Sequence, residues 1–402
     1  MTHRVTVTLG AALLAALAGA APPAAPSLRV DGRASSGAAI AAAGNEVVVA
    51  WAGVSEKATD VYAAFSHDGG ATFGAPVRVN DVPGDARMSG EQAPRVTIGR
   101  GVQVVWLSRQ GIRAATAAPG TEKFAPAATV NAPGLKGMRG WQSLALDREG
   151  VPHVAWLDGR GDAGEPAALS DGRRGMRQDL FQAVRRTDGT FAETRVAKDV
   201  CFCCKTAVAA GDGGSVYVAW RHIYPPNLRD IAVARSTDGG QAFGPPVRVS
   251  EDGWAIDGCP DDGPSIAVDK RGRLHVAWPT LLSQEAGKGV FYSWSLDGRT
   301  FAPRQRLDEG AGGASHPQLA ASGDRVVVAW EQKTGAGPRT VLREITGDPI
   351  SAAAAPRVSP VVTLSERAGT YPALAATADA TLAAWTEETP GGSEIRVQRL
   401  PR

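Results

Sequence analysis

Short apolar strands that end in tryptophan recur along the whole chain. Each reads Val-x-Val-Ala-Trp or a close variant, and another short apolar strand precedes it. The tryptophans follow one another at intervals of 50 to 64 residues, at Trp51, Trp106, Trp156, Trp220, Trp278, Trp330 and Trp385. A fixed interval of this length predicts one supersecondary unit per repeat. Because large aromatic side chains dominate protein cores, the tryptophans are interpreted as packing residues between units.

A second pattern lies between the tryptophans, namely a strand, a tight turn and another strand. Phe65 to Asn80 reads FSHDGGATFGAPVRVN, and similar stretches occur at Ala232 to Ser250, Tyr292 to Leu307 and, in shorter form, Arg186 to Val196. Asp-Gly between alternating apolar runs is typical of a β-hairpin. Each unit therefore has four antiparallel strands, which predicts an all-β fold, a β-propeller with one unit per blade.

The number of tryptophans predicts seven blades, with six as the alternative if one degenerate unit is misread. The last unit has no outer strand of its own before the chain ends. Ser27 to Asp31 resembles an outer strand, yet no hairpin precedes it. We therefore expect this N-terminal strand to complete the last blade and close the ring, which would remove an exposed sheet edge.

The hairpin turns resemble the Asp-box of the sialidase/BNR-repeat superfamily, whose pattern is Ser-x-Asp-x-Gly-x-Thr-aromatic. The first copy matches at Ser66, Asp68, Gly70, Thr72 and Phe73. The second copy has Ala242 in place of Thr and otherwise matches at Ser236, Asp238, Gly240 and Phe243. The third is one residue shorter and matches at Ser295, Asp297, Thr300 and Phe301. A structural role is expected for all of them, because a short Asp side chain can accept backbone N–H groups across a turn.

The same resemblance implies candidate catalytic residues. In sialidases three arginines bind the substrate carboxylate, a tyrosine activated by a glutamate is the nucleophile, and an aspartate is the acid/base; guanidinium groups fit a planar carboxylate well. Tyr371 begins the last inner strand, where the family tyrosine is expected, and Glu331 and Asp261 are candidates for the two acids. The candidate arginines are Arg87, Arg139, Arg221 and Arg229. The Arg-Ile-Pro motif of sialidases is absent, and Ala38-Ala39-Ile40 stands near its expected place.

An alternative interpretation of Tyr371 is a variable residue at the mouth of the propeller channel. By position in its repeat it corresponds to Gly263 and to three candidate ligand-binding residues, Trp141, Lys205 and His316. The four arginines have an alternative interpretation as solvated loop charges. Both alternatives remain open at the level of the sequence.

Extra chain length is concentrated in loops that follow the tryptophan strands. The longest insertion is Leu157 to Gln178, and others are Arg221 to Arg229 and Pro279 to Lys288. Long loops on one rim of a rigid scaffold commonly carry binding sites. A glycan or protein partner is therefore expected on this rim. Asp158 and Asp162 in the longest insertion are also possible oxygen ligands for Ca²⁺.

The chain has four cysteines, and all fall in links between blades. Cys201, Cys203 and Cys204 lie in the link into the fourth blade, and Cys259 lies in the link into the fifth. Two disulfides are the first interpretation, since cysteines of exported proteins usually pair. One alternative is a metal site built from the thiolates, with His222 or His316, although the cysteine spacing matches no common zinc pattern. The other alternative is a redox role.

The N-terminus predicts export. Arg4, the apolar run Val5 to Leu17 and the small residues Ala18-Gly19-Ala20 have the form of a signal peptide covering residues 1–20. A linker follows at 21–26, and one propeller domain covers 27–402. The expected location is the periplasm or the extracellular space, without a membrane span. A net charge of +2 with no basic run gives no support for nucleic-acid binding, and a monomer is expected.

Three functions are compatible with these features. The first is a sialidase-like propeller that binds a glycan or protein partner on the loop-rich rim without hydrolysis. The second is an exo-glycosidase of the exo-α-sialidase type, with Tyr371 as nucleophile. The third is a metal-binding or redox propeller that uses the four cysteines. No cofactor is expected under the first two.

Overall fold

The computed structural model describes residues 25–401 apart from 135, 161–166, 169–173, 176–177, 257, 259, 311–312 and 348–355. Within these ranges every regular element is a β-strand, and none forms a helix that could cross a membrane. Seven antiparallel blades of four strands make up a β-propeller, and one of them has an additional short strand. The predicted fold and the count of seven blades are confirmed, and the six-bladed alternative is wrong. The predicted signal peptide lies outside the described residues.

The strands are labelled in chain order, and the N-terminal strand β1 (Ser27–Leu28) belongs to the last blade. Blade 1 has β2 (Ala34–Ala43), β3 (Glu46–Val54), β4 (Thr59–Ser66) and β5 (Val77–Arg78). Blade 2 has β6 (Arg95–Gly99), β7 (Gly101–Ser108), β8 (Gly111–Ala117) and β9 (Ala128–Thr129). Blade 3 has β10 (Arg139–Leu146), β11 (Pro152–Asp158), β14 (Gln178–Arg185) and β15 (Phe191–Val200). A two-stranded sheet, β12 (Ala167–Ala168) and β13 (Arg174–Gly175), lies in the long insertion.

The second half of the chain continues the ring. Blade 4 has β16 (Ala207–Ala210), β17 (Val216–Arg221), β18 (Ile231–Ser236) and β19 (Val247–Arg248). Blade 5 has β20 (Ser265–Val268), β21 (Leu274–Leu281), β22 (Lys288–Ser295) and β23 (Gln305–Arg306). Blade 6 has β24 (Ala314–Ser322), β25 (Arg325–Thr334), β26 (Gly337–Thr346) and β27 (Arg357–Val358), with β28 (Val362–Thr363) also paired to β26. Blade 7 has β29 (Gly369–Ala376), β30 (Ala380–Thr389), β31 (Gly392–Pro401) and β1.

The repeated tryptophans lie in the core between blades, as predicted. All seven are at most 2% exposed. Each packs in one cluster with residues of the preceding blade; Trp106, for example, lies with Val48, Ala50 and Ala63 of blade 1. Burial of side chains of this size contributes a large part of the hydrophobic stabilisation. The tryptophans are therefore structural residues of the ring.

The ring closes through the N-terminal strand, which confirms the prediction. Ser27 pairs with Arg396 and Leu28 pairs with Ile395 in antiparallel register. Leu28 is 6% exposed and belongs to the apolar cluster between blades 7 and 1. The first and last segments of the described chain therefore share one sheet.

The antiparallel registers divide the loops between two faces. Arg139 at the start of β10 pairs with Asp158 at the end of β11, so the links between blades and the loops after the tryptophan strands lie on one face. This face is called the rim face below. The hairpin turns lie on the opposite face, where the N–H of Gly69 donates to the carbonyl of Asn45 in the neighbouring turn.

The Asp-box turns show the side-chain hydrogen bonds that were expected. Asp68 accepts hydrogen bonds from the N–H groups of Ala71 and Thr72 at 3.0 and 2.9 Å, and from the hydroxyls of Ser66 and Thr72 at 2.7 and 2.6 Å. Equivalent bonds occur at Asp238 and Asp297. These acceptors close the hairpins on the face opposite the rim.

Candidate functional site

The candidate site lies where the inner strands enter the central channel from the rim face. Four inner strands have a register shift near their first residues. At each shift one residue has a positive φ, namely Gly37 (67°), Trp141 (54°), His316 (52°) and Tyr371 (49°). A β-bulge inserts an extra residue and re-aims a side chain, and non-glycine residues with positive φ are concentrated at functional sites. These residues, with Asp261 in the link into blade 5 (φ 43°), form the channel mouth.

The bulges explain the positional equivalence that was read from the sequence. Trp141, His316 and Tyr371 occupy the same bulge position, as predicted. In blade 5 the same register position falls on Gly263, as predicted, because Ser265 pairs with Ala277 as Ser143 pairs with Ala155. The non-glycine residue with positive φ in that link is Asp261, two positions earlier. Gly263 gives its N–H to a carboxylate of the mouth, described below.

Contacts between blades join the mouth residues. The rings of His316 and Tyr371 are 4.5 Å apart between centroids, at an interplanar angle of 32°. The indole Nε1 of Trp141 donates to Asp261 Oδ1 at 3.4 Å. Residues from blades 3, 5, 6 and 7 therefore meet at one opening.

Glu91 and Lys205 form a buried ion pair at the base of the mouth. Lys205 Nζ is 2.7 Å from Glu91 Oε1, and both side chains are almost fully buried. Glu91 also accepts the N–H groups of Lys205 and Gly263, at 3.1 and 2.8 Å. The buried carboxylate therefore has hydrogen-bond donors from two neighbouring links. Lys205 is therefore engaged within the protein, although it was a candidate ligand-binding residue.

Asp262, His316 and Glu331 form a second buried network. Asp262 accepts the His316 N–H at 2.8 Å through Oδ1 and pairs with Lys288 Nζ at 2.8 Å through Oδ2. Glu331 Oε2 lies 3.1 Å from Nδ1 of His316. Burial opposes the charge on both groups, but the opposite charges prevail. The pKa of Asp262 is therefore lowered by His316 and Lys288, and Asp262 and Glu331 raise the pKa of His316 to about 9.

Asp261 differs from the other carboxyl groups of the mouth, because none of the ion pairs among the described residues includes it. Three of the four mouth carboxylates have a cation of their own: Glu91 has Lys205, Asp262 has Lys288 and Glu331 has His316. Among the described residues, Asp261 has only the long bond from Trp141. Burial and the charge of Glu91 raise its pKa. Asp261 is thus a half-buried carboxyl that can accept hydrogen bonds or release a proton to a bound molecule.

Tyr371 does not have the surroundings of an activated nucleophile. Burial, together with the charges of Asp261 and Glu331, raises its pKa to about 12. Glu331 makes its hydrogen bond to His316. Within the described part of the chain, the Tyr371 hydroxyl has no hydrogen-bond partner. Its ring is half-buried against His316, which leaves an aromatic surface at the opening.

Three of the four candidate arginines are buried in contacts with the protein. Arg221 donates to the carbonyls of Arg229, Asp262 and Pro279 at 2.7 to 2.8 Å. Arg229 donates to Asn227 and to the sulfur of Cys201. Arg139 pairs with Asp158 at 3.0 Å. These placements do not support the predicted role of the three guanidinium groups on a substrate carboxylate, because their donors are directed into the fold.

Arg87 is the exception, because it is exposed beside the mouth. It lines a cleft of about 630 Å³ with Arg109 and Met138 on the rim face. Neither Arg87 nor Arg109 has an ion-pair partner among the described residues. The cleft and the mouth share one link of the chain. Gln92 lines the cleft, and the preceding residue, Glu91, belongs to the mouth.

The central channel below the mouth is narrow. A cavity of about 190 Å³ is lined by inner-strand residues of all seven blades, including Arg95, Ser143, Lys205 and Gln318. The ligand atoms of Glu91, Asp262 and His316 lie within 4.8 Å of one another, close enough to share a cation. Each already has a partner of opposite charge, so the group acts as an ion-pair network. The predicted Ca²⁺ ligand Asp158 is likewise paired, with Arg139 and Arg160, and Asp162 lies outside the described residues.

The cysteines are arranged differently from the predicted two disulfides. Cys201 and Cys204 are free thiols whose sulfurs are 3.8 Å apart, well beyond the length of an S–S bond. Cys203 is not among the free thiols. Cys259 lies outside the described residues, so its pairing stays a prediction. The two-disulfide prediction is therefore wrong for Cys201 and Cys204 in this structure.

Two mouth residues were missed in the sequence. Glu91 lies in a link without any motif, and only the fold brings it beside Lys205. Lys288 appeared only as the end of an insertion. Asp262 follows the candidate Asp261 directly, yet its burial and its partners depend on neighbouring blades. No local pattern in the sequence identifies Glu91 and Lys288 as mouth residues or indicates the partners of Asp262.

No protein-family model and no curated protein sequence matches the chain. Solved structures with a similar fold include an ulvan lyase of polysaccharide lyase family PL25, bound to -[GlcA(1-4)Rha3S]-, at 12% identity and TM-score 0.57, over 93% of this chain and 96% of that one. The polysaccharide lyase Uly1 is similar at 10% identity and TM-score 0.54, over 90% and 89%. Trypanosoma rangeli sialidase has 12% identity and TM-score 0.48, over 92% and 55%. The propeller fold is thus shared with glycan-processing enzymes.

Proposed function

We propose that the channel mouth is a carbohydrate-binding site. The observation that carries this proposal is Asp261, a half-buried carboxyl without a cationic partner among the described residues, placed at an opening that also presents the Tyr371 ring. Sugars are bound through hydroxyl groups that donate to carboxylates and through ring faces that pack on aromatic side chains. The two polysaccharide lyases with a similar fold are in keeping with a glycan ligand.

The buried ion pairs around Asp261 would fix its position. The ion pairs Glu91–Lys205 and Asp262–Lys288 involve the three links that lead into blades 2, 4 and 5. A site held by such a network is pre-organised, so little entropy is lost when a ligand binds. This supports binding of a defined sugar unit on the axis of the propeller.

Binding of the purified chain to a glycan microarray tests the proposal. Asp261→Asn keeps the shape of the side chain and removes the charge, so affinity for the recognised glycan should fall about 10- to 100-fold, as expected for loss of charged hydrogen bonds. Glu149→Gln, an exposed change in a turn on the opposite face, should bind like the wild type. Absence of binding to any glycan, or equal binding by Asp261→Asn, would contradict the proposal.

Hydrolysis is the second candidate, because the raised pKa of Asp261 suits a general acid. A panel of 4-methylumbelliferyl glycosides that includes a sialoside measures it directly. Under this candidate, Asp261→Asn abolishes turnover. Tyr371→Phe then separates the roles of the tyrosine: it keeps the aromatic ring and removes the hydroxyl, so binding survives if the ring only packs on the sugar, and turnover is lost if the hydroxyl is the nucleophile.

A further inference from the structure

A cluster of sulfur atoms lies in the link between blades 3 and 4, where Cys204 directly precedes Lys205 of the channel mouth. The sulfurs of Cys203 and Cys204 are 3.9 and 3.8 Å from that of Cys201. All three cysteines are at most 3% exposed. The candidate metal-ligand atoms of the three lie within 4.8 Å of one another. Two of them, Cys201 and Cys204, are free and have the spacing Cys-x-x-Cys.

The surroundings of the sulfurs are apolar on one side and cationic on the other. Trp141, Leu157, Val200 and Trp220 pack in the same buried cluster. Arg229 Nη1 donates to the sulfur of Cys201 at 3.2 Å, and the carbonyl of Arg229 accepts a hydrogen bond from Arg221. No histidine nitrogen or carboxylate of the described residues belongs to the sulfur group. Two thiols without further N or O ligands do not suit Zn²⁺, which takes four.

We propose that Cys201 and Cys204 bind one soft monovalent cation of the Cu(I) class as a pair of thiolates. Thiolates select Cu(I) over hard cations, and an apolar site excludes competing water ligands. The two sulfurs are 3.8 Å apart, close enough for one ion to contact both. On binding, two thiol protons are released to solvent and the M(SR)₂ unit carries one negative charge. Arg229 faces that charge.

A competition experiment tests the site on the full chain. Metal-free protein is kept under argon without added reductant, because Cys203 is disulfide-bonded. It is then added to the coloured complex of Cu(I) with bicinchoninate, and the loss of colour reports transfer. One Cu(I) per chain is expected. Cys201→Ser and Cys204→Ser should each lose the ability to compete, while circular dichroism and the melting temperature show that both variants are folded. The X-ray absorption spectrum of the loaded protein should show sulfur, and not nitrogen or oxygen, as the nearest neighbour of the metal.

Substitutions of Arg229 provide a second test that leaves both cysteine ligands in place. Arg229→Met should weaken Cu(I) binding by about 10- to 100-fold, the usual effect of losing a group that supports a metal ligand, whereas Arg229→Lys should retain most of the affinity. Failure of the wild type to compete, or competition by both serine variants, overturns the proposal. A protein that binds no Cu(I) but is converted by oxidised glutathione to a Cys201–Cys204 disulfide would contain a redox dithiol instead, which also overturns it.

Discussion

His316 shows how one residue can carry a charge that its burial opposes. Its ring is mostly enclosed, and its side chain is 16% exposed. Burial alone would favour the neutral imidazole, yet Asp262 and Glu331 raise its pKa to about 9. His316 is therefore a cation at neutral pH, and it supplies the positive charge that Glu331 needs. Among the described residues, Asp261 is then the acid of the mouth that has no ion-pair partner.

The charge of His316 predicts a dependence of stability on pH. The pKa is about 9 in the folded protein and about 6.5 when unfolded, so the folded state binds the proton more tightly. The resulting stability is fully present below pH 6.5 and is lost as pH rises through about 9. The difference in free energy of unfolding between wild type and His316→Gln should fall by about 3 kcal/mol over this range.

Urea denaturation at pH 6, 8 and 9.5 measures that difference. His67→Gln is the matched control, because His67 is fully exposed on the opposite face and its pairs with Glu46 and Glu122 are screened by solvent. Its difference from wild type should stay small at every pH. A His316→Gln difference that does not change with pH would contradict a cationic histidine in the folded protein.

At the level of elements, Gly90 in the link into blade 2 lies against the Asp261 carboxylate, with no space for a side chain. A Cβ atom at Gly90 would overlap Asp261 Oδ2, and Gly90 has a φ of +49°. Gly90→Ala should therefore displace the Asp261 carboxylate and weaken glycan binding on the microarray. Gly44→Ala is the control, since it has the same kind of backbone strain at φ +60° and no atom within 4 Å. Equal binding by both variants would show that Asp261 does not depend on this contact.

The Asp-box hairpins differ in the number of hydrogen bonds that the aspartate accepts. Asp68 accepts four, whereas Asp188 in the shortened copy accepts two, both from Thr190. Asp68→Ala should therefore lower the melting temperature more than Asp188→Ala does, as measured by circular dichroism. Glycan binding should be unaffected in both, because the turns lie opposite the mouth. A larger effect at Asp188 would contradict this account.

At the level of the whole molecule, the sequence predicts the ring better than the site. Tryptophans at fixed intervals and Asp-Gly turns report local structure, so blade number and ring closure follow from them. The mouth is assembled from links of different blades, and Glu91 and Lys205 meet across 114 positions of the chain. The buried bonds of Arg221 and Arg229 likewise depend on contacts between loops. No local pattern encodes such pairs, which is why the burial of Arg221 and Arg229 could not be predicted from the sequence.

Closure of the ring makes the stability of the whole propeller depend on β1. Leu28 fills the cluster between blades 7 and 1 with Trp51, Ile395 and other buried residues, and the N–H of Val397 donates to the carbonyl of Pro26. Leu28→Ala should lower the free energy of unfolding by about 2 to 5 kcal/mol, the usual cost of a large-to-small change in a core. Arg29→Ala, at the exposed next position, should change the free energy of unfolding little.

Leu28→Ala would also weaken the pairing of β1 with β31 and expose the edge of β31. This variant should therefore aggregate more readily on heating, which light scattering measures. A variant as stable as Arg29→Ala would show that the ring holds together without its N-terminal strand.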